Sequence, residues 1–432
     1  MGRLSQAWDT WFPKAAETNK DKELYYWTWL NEACRQFYGG NDNAVFSNAT
    51  AFSLANCISE IFFPIDAIAD RVAGLPFNIV NKNGDIVDAP ENIKRLINSP
   101  NPFCASFQDM IYNAVFNELS DGNNYIYTNT PRSFKNATPD TISSVWLLTP
   151  DQVDIKIKNT RPSFFDITSI TDIVEYYGYN SPFDSQKIDP NYVIHERSLS
   201  LSSRNVNSTG IKSPSPLKGA EKNINNLIAV YSARYKAYNN NGMGGILSRD
   251  NSAHNSEQEA VNPTTRDEIL KDILDRHGLT GDKKFWTVSA IPLKFIKTLA
   301  TISELQPFEE TEADALQIAG ILGVDKDLIP LKKGTTFTNK EQAEKNLYQN
   351  VIFGMAENKA HSFTKAFALD KIGLRFAPGM NNIQVMQPDR ETSLKSDGLT
   401  LDNISKMQQA GLIDEADAKD IVQKIIDKYK NG

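Results

Sequence analysis

The densest group of acidic side chains in this sequence lies where apolar residues recur with helical spacing. No Lys or Arg interrupts residues 303–322, and the acidic residues are Glu304, Glu309, Glu310, Glu312 and Asp314. Paired carboxylates can bind divalent metal ions, although metal sites usually take ligands from several elements. Acids in the first turns of a helix also favour the positive end of its dipole. We therefore favour a solvated or pore-facing helix side, and expect neither a metal ion nor a cofactor.

The other residues that could carry chemistry do not form a known catalytic motif. The four histidines are tens of residues apart, and the sequence contains no HExxH, GxSxG or GxxxxGK[ST]. His195 follows the strand-like run 192–194, which favours a hydrogen-bonded structural imidazole over a catalytic one. We therefore expect no catalytic residue and no enzymatic activity.

A basic segment follows the acidic one. Residues 326–341 contain Lys326, Lys332, Lys333 and Lys340 against Asp327 and Glu341, a local charge of four minus two, or +2, in a protein of net charge −7. An exposed polar loop with ordinary lysines is one reading. Weak, sequence-independent contact with phosphates is the other.

Composition is that of an ordinary globular protein, with 40% hydrophobic and 23% charged residues. The negative net charge argues against wrapping a nucleic acid through an extended basic surface. Cys34, Cys57 and Cys104 include no CxxC pair, which predicts reduced thiols. No apolar run approaches the roughly 20 residues of a membrane span, and no secretory signal is present, so we expect a cytosolic chain without membrane association.

The first 200 residues predict an α+β domain. Aromatic residues within the first 40 predict a docked N-terminal helix, and apolar spacing predicts one amphipathic helix from residue 50 to Val72. An Asn83-Gly84 turn predicts a hairpin joining 77–80 to 86–87. Further helices are expected at 91–97 and 106–119, and strands at 125–127, 145–148, 153–157 and 173–179.

The second half predicts three long helices. A Ser/Pro-rich linker at 198–216 precedes an apolar stripe about six turns long, formed by Leu217, Ala220, Ile224, Leu227, Ile228, Tyr231, Tyr235 and Tyr238. This stripe needs a partner, which could be a neighbouring subunit or another part of the same chain. A second helix is expected at 303–323, with either a Ser303 capping box or Pro307 in its first turn, and a third at 338–367 with a Thr338/Glu341 capping box.

A succession of motifs then resembles the portal protein family of tailed bacteriophages, in its compact long-tailed-phage branch. No single motif is specific, but they occur in the family's order over residues 50–370. They are Ile65 to Pro76 ending in Leu-Pro, Leu96 to Phe107 around Pro100-Asn101-Pro102, Gly122-Asn123-Asn124-Tyr125, Leu148 to Val153, Val193-Ile194-His195, Ser215-Pro216-Leu217, and Glu309 to Val324.

The resemblance implies an α+β portal-like fold. Its parts would be a wing at 1–215 and 338–390, stem helices at 216–240 and 303–323, a small α/β clip at 241–302, a tunnel loop at 324–337 and a helical crown at 391–432. One departure is that family tunnel loops often continue with Val-Pro, whereas Val324 is followed by Asp325 and the proline comes at Pro330.

The resemblance also implies a function. It implies a homo-oligomeric ring, usually of twelve copies, at one capsid vertex of the virion, assembled in the host cytoplasm. Double-stranded DNA would pass through its channel without sequence recognition during packaging and ejection. Large terminase, a head-tail adaptor and the major capsid or scaffold protein would be partners. The stripe residues would form the oligomer interface, the four lysines would line the tunnel, and the acidic helix would face the channel.

Two other functions remain open from the sequence. One is a metal-dependent phage nuclease that uses the acidic cluster of residues 304–314, and the other is a monomeric helical adaptor whose stripe binds a partner protein.

Overall fold

The computed structural model describes most of the chain between residues 48 and 386. The described residues are 48–131, 137–160, 162, 166–181, 183–198, 211–239, 245–249, 293–297, 307–330, 336–380, 383–386, and the single residues 403, 404, 406 and 419. The predicted N-terminal helix, most of the expected clip and most of both predicted C-terminal helices lie outside them.

Two helices replace the single one predicted after residue 50. Helix α1 spans Asn48–Cys57 and α2 spans Ser59–Ala73, bent 91° apart. Ile58 between them has extended backbone angles, φ −107° and ψ 118°, which let both helices bury their apolar residues in one core. A one-residue break hardly disturbs helical periodicity, so the sequence pattern could not show it.

None of the described helices is long and apolar enough to cross a bilayer by itself. Only the bent pair α1 and α2 would meet that length and composition test together.

The next two helices form where predicted. Helix α3 spans Glu91–Asn98, and α4 spans Phe107–Ser120. Ser106 caps α4, since its hydroxyl accepts the Asp109 N–H at 3.1 Å. Tyr112 of α4 donates to Asp66 of α2 at 2.6 Å, and this bond holds the two helices together.

Two antiparallel three-stranded sheets follow. In the first, β2 (Asn123–Asn129) lies between β3 (Ser144–Leu148) and β7 (Val193–Arg197). In the second, β5 (Val174–Asn180) lies between β4 (Val153–Ile157) and β6 (Ser185–Ile188). The predicted strands are confirmed, and a small core containing Tyr125, Val153 and Tyr177 joins the two sheets.

The predicted hairpin after α2 is reduced to a single bridge between Val80 and Ile86, although Gly84 does take the positive φ of a turn, 92°. Strand β1 (Phe77–Val80) pairs instead with the last strand, Arg375–Pro378. This pairing joins two segments about 300 residues apart in sequence, and no local sequence pattern could predict it.

The first two of the three long helices predicted for the second half are present. A 3-10 turn at Pro216–Ala220 leads into α5 (Glu221–Asn239), and α6 spans Pro307–Ile321. Pro307 is therefore in the first described turn, which was the alternative to the Ser303 capping box. Between the helices, β8 (Gly245–Arg249) pairs antiparallel with β9 (Leu293–Lys297).

The third long helix is one helical run in three parts. Helix α7 (Phe337–Leu347) passes through a π-helical turn, Tyr348–Ile352, into α8 (Phe353–Ala366). The predicted Thr338/Glu341 cap is wrong, because the helix begins earlier and Thr336 accepts the Asn339 N–H at 3.4 Å. After α8 comes β10 (Arg375–Pro378), the partner of β1.

The prediction of reduced thiols is wrong for Cys57, which is disulfide-bonded. Cys104 is a free thiol, as expected. Burial raises its pKa, and its Sγ donates to the Ser106 carbonyl at 3.1 Å.

A buried ion cluster joins three elements of the core. Lys359 of α8 is fully buried and contacts Glu118 of α4 at 2.5 Å and Glu196 of β7 at 2.7 Å. Glu196 also accepts from Asn124 of β2 at 2.5 Å. The two carboxylates raise the pKa of Lys359 against the opposing effect of its burial, so the lysine stays charged.

We predict that Lys359→Ala lowers the free energy of unfolding by about 3–5 kcal/mol, because it leaves two carboxylates without their buried counter-charge. Lys365→Ala is the control, since Lys365 lies on the same helix but is exposed; it should cost at most about 0.5 kcal/mol. Chemical denaturation of both variants measures the difference, and equal losses would contradict the assigned role of the cluster.

Candidate channel helices and their anchor

Helix α5 begins inside the main hydrophobic core. Leu217, Ala220, Ile224, Leu227 and Ile228 are all buried in a single chain. They share this core with Ile318, Ala319 and Leu322 at the end of α6, and with α2. The predicted apolar stripe is therefore present, and of the two partners left open for it the same chain covers these five residues, so they are not available for the oligomer interface that the resemblance implies.

Polar contacts extend the pairing of α5. Asn223 donates to Asp314 of α6 at 2.7 Å, and the Tyr231 hydroxyl bonds Glu60 of α2. Asp314 is buried in this contact, so its predicted channel-facing position is wrong: it faces α5. Of the other acidic residues, Glu310 is exposed and Glu312 half-buried.

The remaining predicted residues of the two helices lie beyond what the structure describes. Glu304 precedes the described part of α6. The helical backbone includes Glu309, Tyr235 and Tyr238, but their side chains are not among those described.

The segment predicted as a linker is fixed at its C-terminal end. The side chain of Asn123 in β2 binds both backbone groups of Ser213. Its Oδ1 accepts the Ser213 N–H at 2.8 Å, and its Nδ2 donates to the Ser213 carbonyl at 2.8 Å. Asn48 of α1 also binds this segment through both side-chain atoms: its Nδ2 donates to the Ser213 carbonyl at 2.7 Å, and its Oδ1 accepts the Ser215 N–H at 3.1 Å. Ser215 donates to the Ser120 carbonyl at 2.5 Å and caps the turn before α5. Helix α5 therefore leaves the core from a fixed point.

Gly122 makes this close approach possible. Its φ is 89°, and a Cβ added there would lie 2.3 Å from the Pro214 carbonyl oxygen. Only glycine allows both that backbone conformation and that distance. The Gly122-Asn123-Asn124 motif thus has three roles: Gly122 admits the incoming chain, Asn123 binds it, and Asn124 joins the ion cluster.

The anchor contains titratable groups with shifted pKa values. Burial raises the pKa of Asp121 to about 6, against the opposing effects of a hydrogen bond from Asn123 and the charge of Lys212. Burial, with Arg197 and Lys212 nearby, lowers the pKa of His195 to about 3. His195 is therefore neutral at pH 7, and its Nε2 donates to Asn123 at 3.1 Å. The predicted structural role of this histidine is confirmed.

Helix α6 ends in a glycine cap. Gly323 has φ 82°, its N–H donates to the Gly320 carbonyl at 3.1 Å, and the Val324 N–H donates to Ala319 at 2.9 Å. This is the Schellman arrangement. A Cβ at Gly323 would lie 2.7 Å from Val351, so the turn fits closely against the π-helical turn before α8.

The loop after α6 carries the basic residues. Asp325 caps a 3-10 turn at Lys326–Leu328 that packs against α7. Lys326 on this turn and Lys340 on α7 are exposed. Lys332 and Lys333 lie outside the described residues.

The family model of the phage portal protein matches residues 59–421. The chain belongs to the phage portal protein family. No curated protein matches the chain in sequence.

Solved structures show the same fold. A protein in the neck of an empty gene transfer agent particle, computed with C6 symmetry, matches with a TM-score of 0.54 and 15% identity over 86% of this chain and 93% of that one. The neck of the native particle, computed with C12 symmetry, gives 0.51 and 14% over 91% and 92%. An HK97-family phage portal protein from Corynebacterium diphtheriae gives 0.50 and 13%, covering 80% of this chain and all of that one.

Sequence reasoning missed the anchor and the ion cluster. Two of the segments that form the anchor, Gly122-Asn123-Asn124 and Ser215-Pro216-Leu217, do stand out in the sequence as family-like motifs. Nothing in either motif shows that they bind each other across about 90 residues of chain.

We predict that Gly122→Ala destabilises the protein more than Gly84→Ala by about 1–3 kcal/mol, because only the first adds a clash to the backbone strain. Gly84 is a matched control, with φ 92° and no atom within 4 Å of an added Cβ. Thermal or chemical denaturation gives the difference, and limited proteolysis near residue 213 should accelerate only in Gly122→Ala. Equal destabilisation would mean that the approach to Pro214 does not matter.

Proposed function

We propose that copies of this chain form a ring at one vertex of a virion capsid, through which double-stranded DNA passes during packaging and ejection. The match of the portal family to residues 59–421 carries this proposal. Fold neighbours in particle necks computed with C6 and C12 symmetry support a ring of twelve copies.

The proposed channel wall is the α5–α6 pair, with the loop from Val324 as its constriction. Around a ring, the exposed Lys326 and Lys340, with Lys332 and Lys333, become a belt of several dozen positive charges that can touch phosphates without reading bases. The exposed Glu310 would repel phosphates on the preceding helix. Sliding requires that each cationic contact remain weak.

Because the apolar stripe of α5 is buried in the core of its own chain, we assign the contact between neighbouring subunits to the exposed sides of α5 and α6. Besides Glu310, the exposed residues of α6 are Ala313, Gln317, Gly320 and Ile321, and those of α5 are Lys222, Asn225, Asn226 and Ala229. Each set follows helical spacing, so each forms one face. Contact between the α6 face of one copy and the α5 face of the next would be head-to-tail, as a closed ring requires.

The proposed parts of the subunit follow the family order. They are a wing at 1–215 and 338–390, a clip at 241–302 that would bind large terminase and later a head-tail adaptor, and a crown at 391–432. We propose that the ring assembles in the host cytoplasm. Major capsid or scaffold protein would contact the ring during and after assembly.

The two alternative functions have no comparable support. In the described part of the chain, no group of three His, Cys, Asp or Glu side chains is placed to hold a metal ion. The buried stripe also removes the apolar surface on which the monomeric adaptor depended.

We predict that Ala313→Arg blocks ring assembly and leaves the subunit folded, because a long cation replaces a small exposed residue in the proposed contact. Asn83→Arg, in an exposed turn of the wing, is the control and should still form rings. Light scattering and negative-stain imaging report the particle size, and circular dichroism reports the fold. Rings of normal size from Ala313→Arg would move the interface elsewhere.

We predict that Lys332→Ala combined with Lys333→Ala leaves the ring assembled but lowers DNA retention, with the larger defect at low salt where electrostatic contacts are strongest. Lys94→Ala, an exposed lysine on α3, is the control. Packaging and retention that are unchanged across a salt series would exclude the loop lysines from DNA contact.

A further inference from the structure

A large open groove in the wing is unconnected with the channel helices. It has a volume of about 1190 Å³ and lies between helices α1 and α4 on one side and the two three-stranded sheets on the other. Its rim carries large aromatic residues at the surface: Phe103 is 78% and Phe183 69% exposed. The rings of Phe103 and Phe183 stack 6.4 Å apart, and that of Trp146 lies 5.8 Å from Phe103. A cluster of exposed aromatic rings of this kind marks a binding surface.

The polar part of the lining defines the chemistry of the occupant. Among the described lining residues no Lys or Arg is present, and the only charged ones are Asp109 and Asp184. Carboxamides dominate the rest: Asn56, Asn101, Asn113, Asn117, Asn129 and Gln186. Such a surface favours a nearly neutral, aromatic polypeptide that can exchange hydrogen bonds with amides, and it disfavours a nucleic acid.

We propose that residues 25–38 of the same chain occupy this groove. This segment contains six aromatic residues in fourteen, Tyr25, Tyr26, Trp27, Trp29, Phe37 and Tyr38, and its two charges, Glu32 and Arg35, cancel. It therefore matches the lining in both aromatic content and charge.

Continuity of the chain favours this occupant over a second copy or another protein. The segment leads directly to α1, and Phe52 and Asn56 of that helix form part of the groove wall. Nine residues lie between Tyr38 and Asn48, and the ten steps from one to the other span at most about 33–36 Å when the chain is extended. Helix α1 is only about 15 Å long, so the connection can return to its own wall.

The disulfide of Cys57 gives a second expectation. Cys57 ends α1 beside Asn56, Cys104 is free, and the third cysteine of the sequence is Cys34, within the proposed segment. We expect non-reducing peptide mapping to find Cys34 joined to Cys57. A Cys57 bonded to another chain would overturn the same-chain arrangement.

Cys104 provides a test inside the groove, because its thiol forms part of the lining. We expect the double variant Tyr26→Ser with Trp29→Ser to accelerate alkylation of Cys104 by N-ethylmaleimide about fivefold or more, as two aromatic contacts are lost. The matched control is Trp8→Ser with Trp11→Ser, which removes aromatic residues outside the segment and should leave the rate unchanged. The rate is read by mass spectrometry of the Cys104 peptide. Equal rates in the wild type and the segment variant, or equal acceleration in both variants, would overturn the proposal.

Photo-crosslinking identifies the occupant directly. A benzophenone amino acid in place of Phe103 should crosslink to residues 25–38, in rings assembled from mixed ¹⁴N- and ¹⁵N-labelled chains. If both peptides of each crosslinked pair carry the same isotope, the segment in the groove belongs to the same chain. Mixed-isotope peptides would assign the groove to a neighbouring copy, and a crosslink to any other region would assign it to a different occupant. Since the assay works on a monomer as well, its result is independent of whether rings form.

Discussion

The arrangement of this protein depends on one close backbone contact, that between Gly122 and Pro214. At this point the chain coming from the sheets passes the end of α4 with no room for a side chain. Asn123 and Asn48 then fix both peptide groups around Ser213. The turn into α5 begins at Pro216, two residues after Pro214, so the position and direction of that helix follow from this contact. In a ring, a small error in that direction would be repeated in every subunit.

Buried polar groups surround this contact, and most of them have hydrogen-bond partners; among the described residues, Asn124 Oδ1, the Tyr125 hydroxyl and Asp151 Oδ1 do not. A buried polar group without a partner is costly, whereas one with a fixed partner specifies a unique arrangement. The neutral imidazole of His195 and the amide of Asn123 serve the anchor, and the Lys359 cluster serves the packing of α8 against α4 and β7. Hydrophobic packing supplies the driving force here, and these polar contacts select one geometry among many of similar burial.

Little of the proposed function resides in any single side chain. The exposed charges on α6, on the loop after it and at the start of α7 are individually ordinary. Repetition around a ring would give them their effect, because charges on separate subunits then act on the same DNA segment. The subunit's own contribution is rigidity: α5 begins in the core, α6 packs along it, and the glycine-capped turn after α6 lies against the π-helical turn before α8. For this reason the family is visible in the order of the structural motifs along the chain.

The sequence by itself determined the α+β class, most helices and strands, the end of α6 at Gly323 and the family, because these depend on local periodicity, capping and the order of motifs. It also showed that Leu217 to Ile228 form one apolar face. Only the tertiary structure decided what covers that face, since periodicity shows that a helix side is apolar but not whether α6 or another subunit packs on it. The same holds for Asp314, whose partner Asn223 is 91 residues away, and for β1, whose partner strand lies near the other end of the chain. Contacts between residues so distant in sequence are set by the packing of the whole core, which no short window of sequence contains.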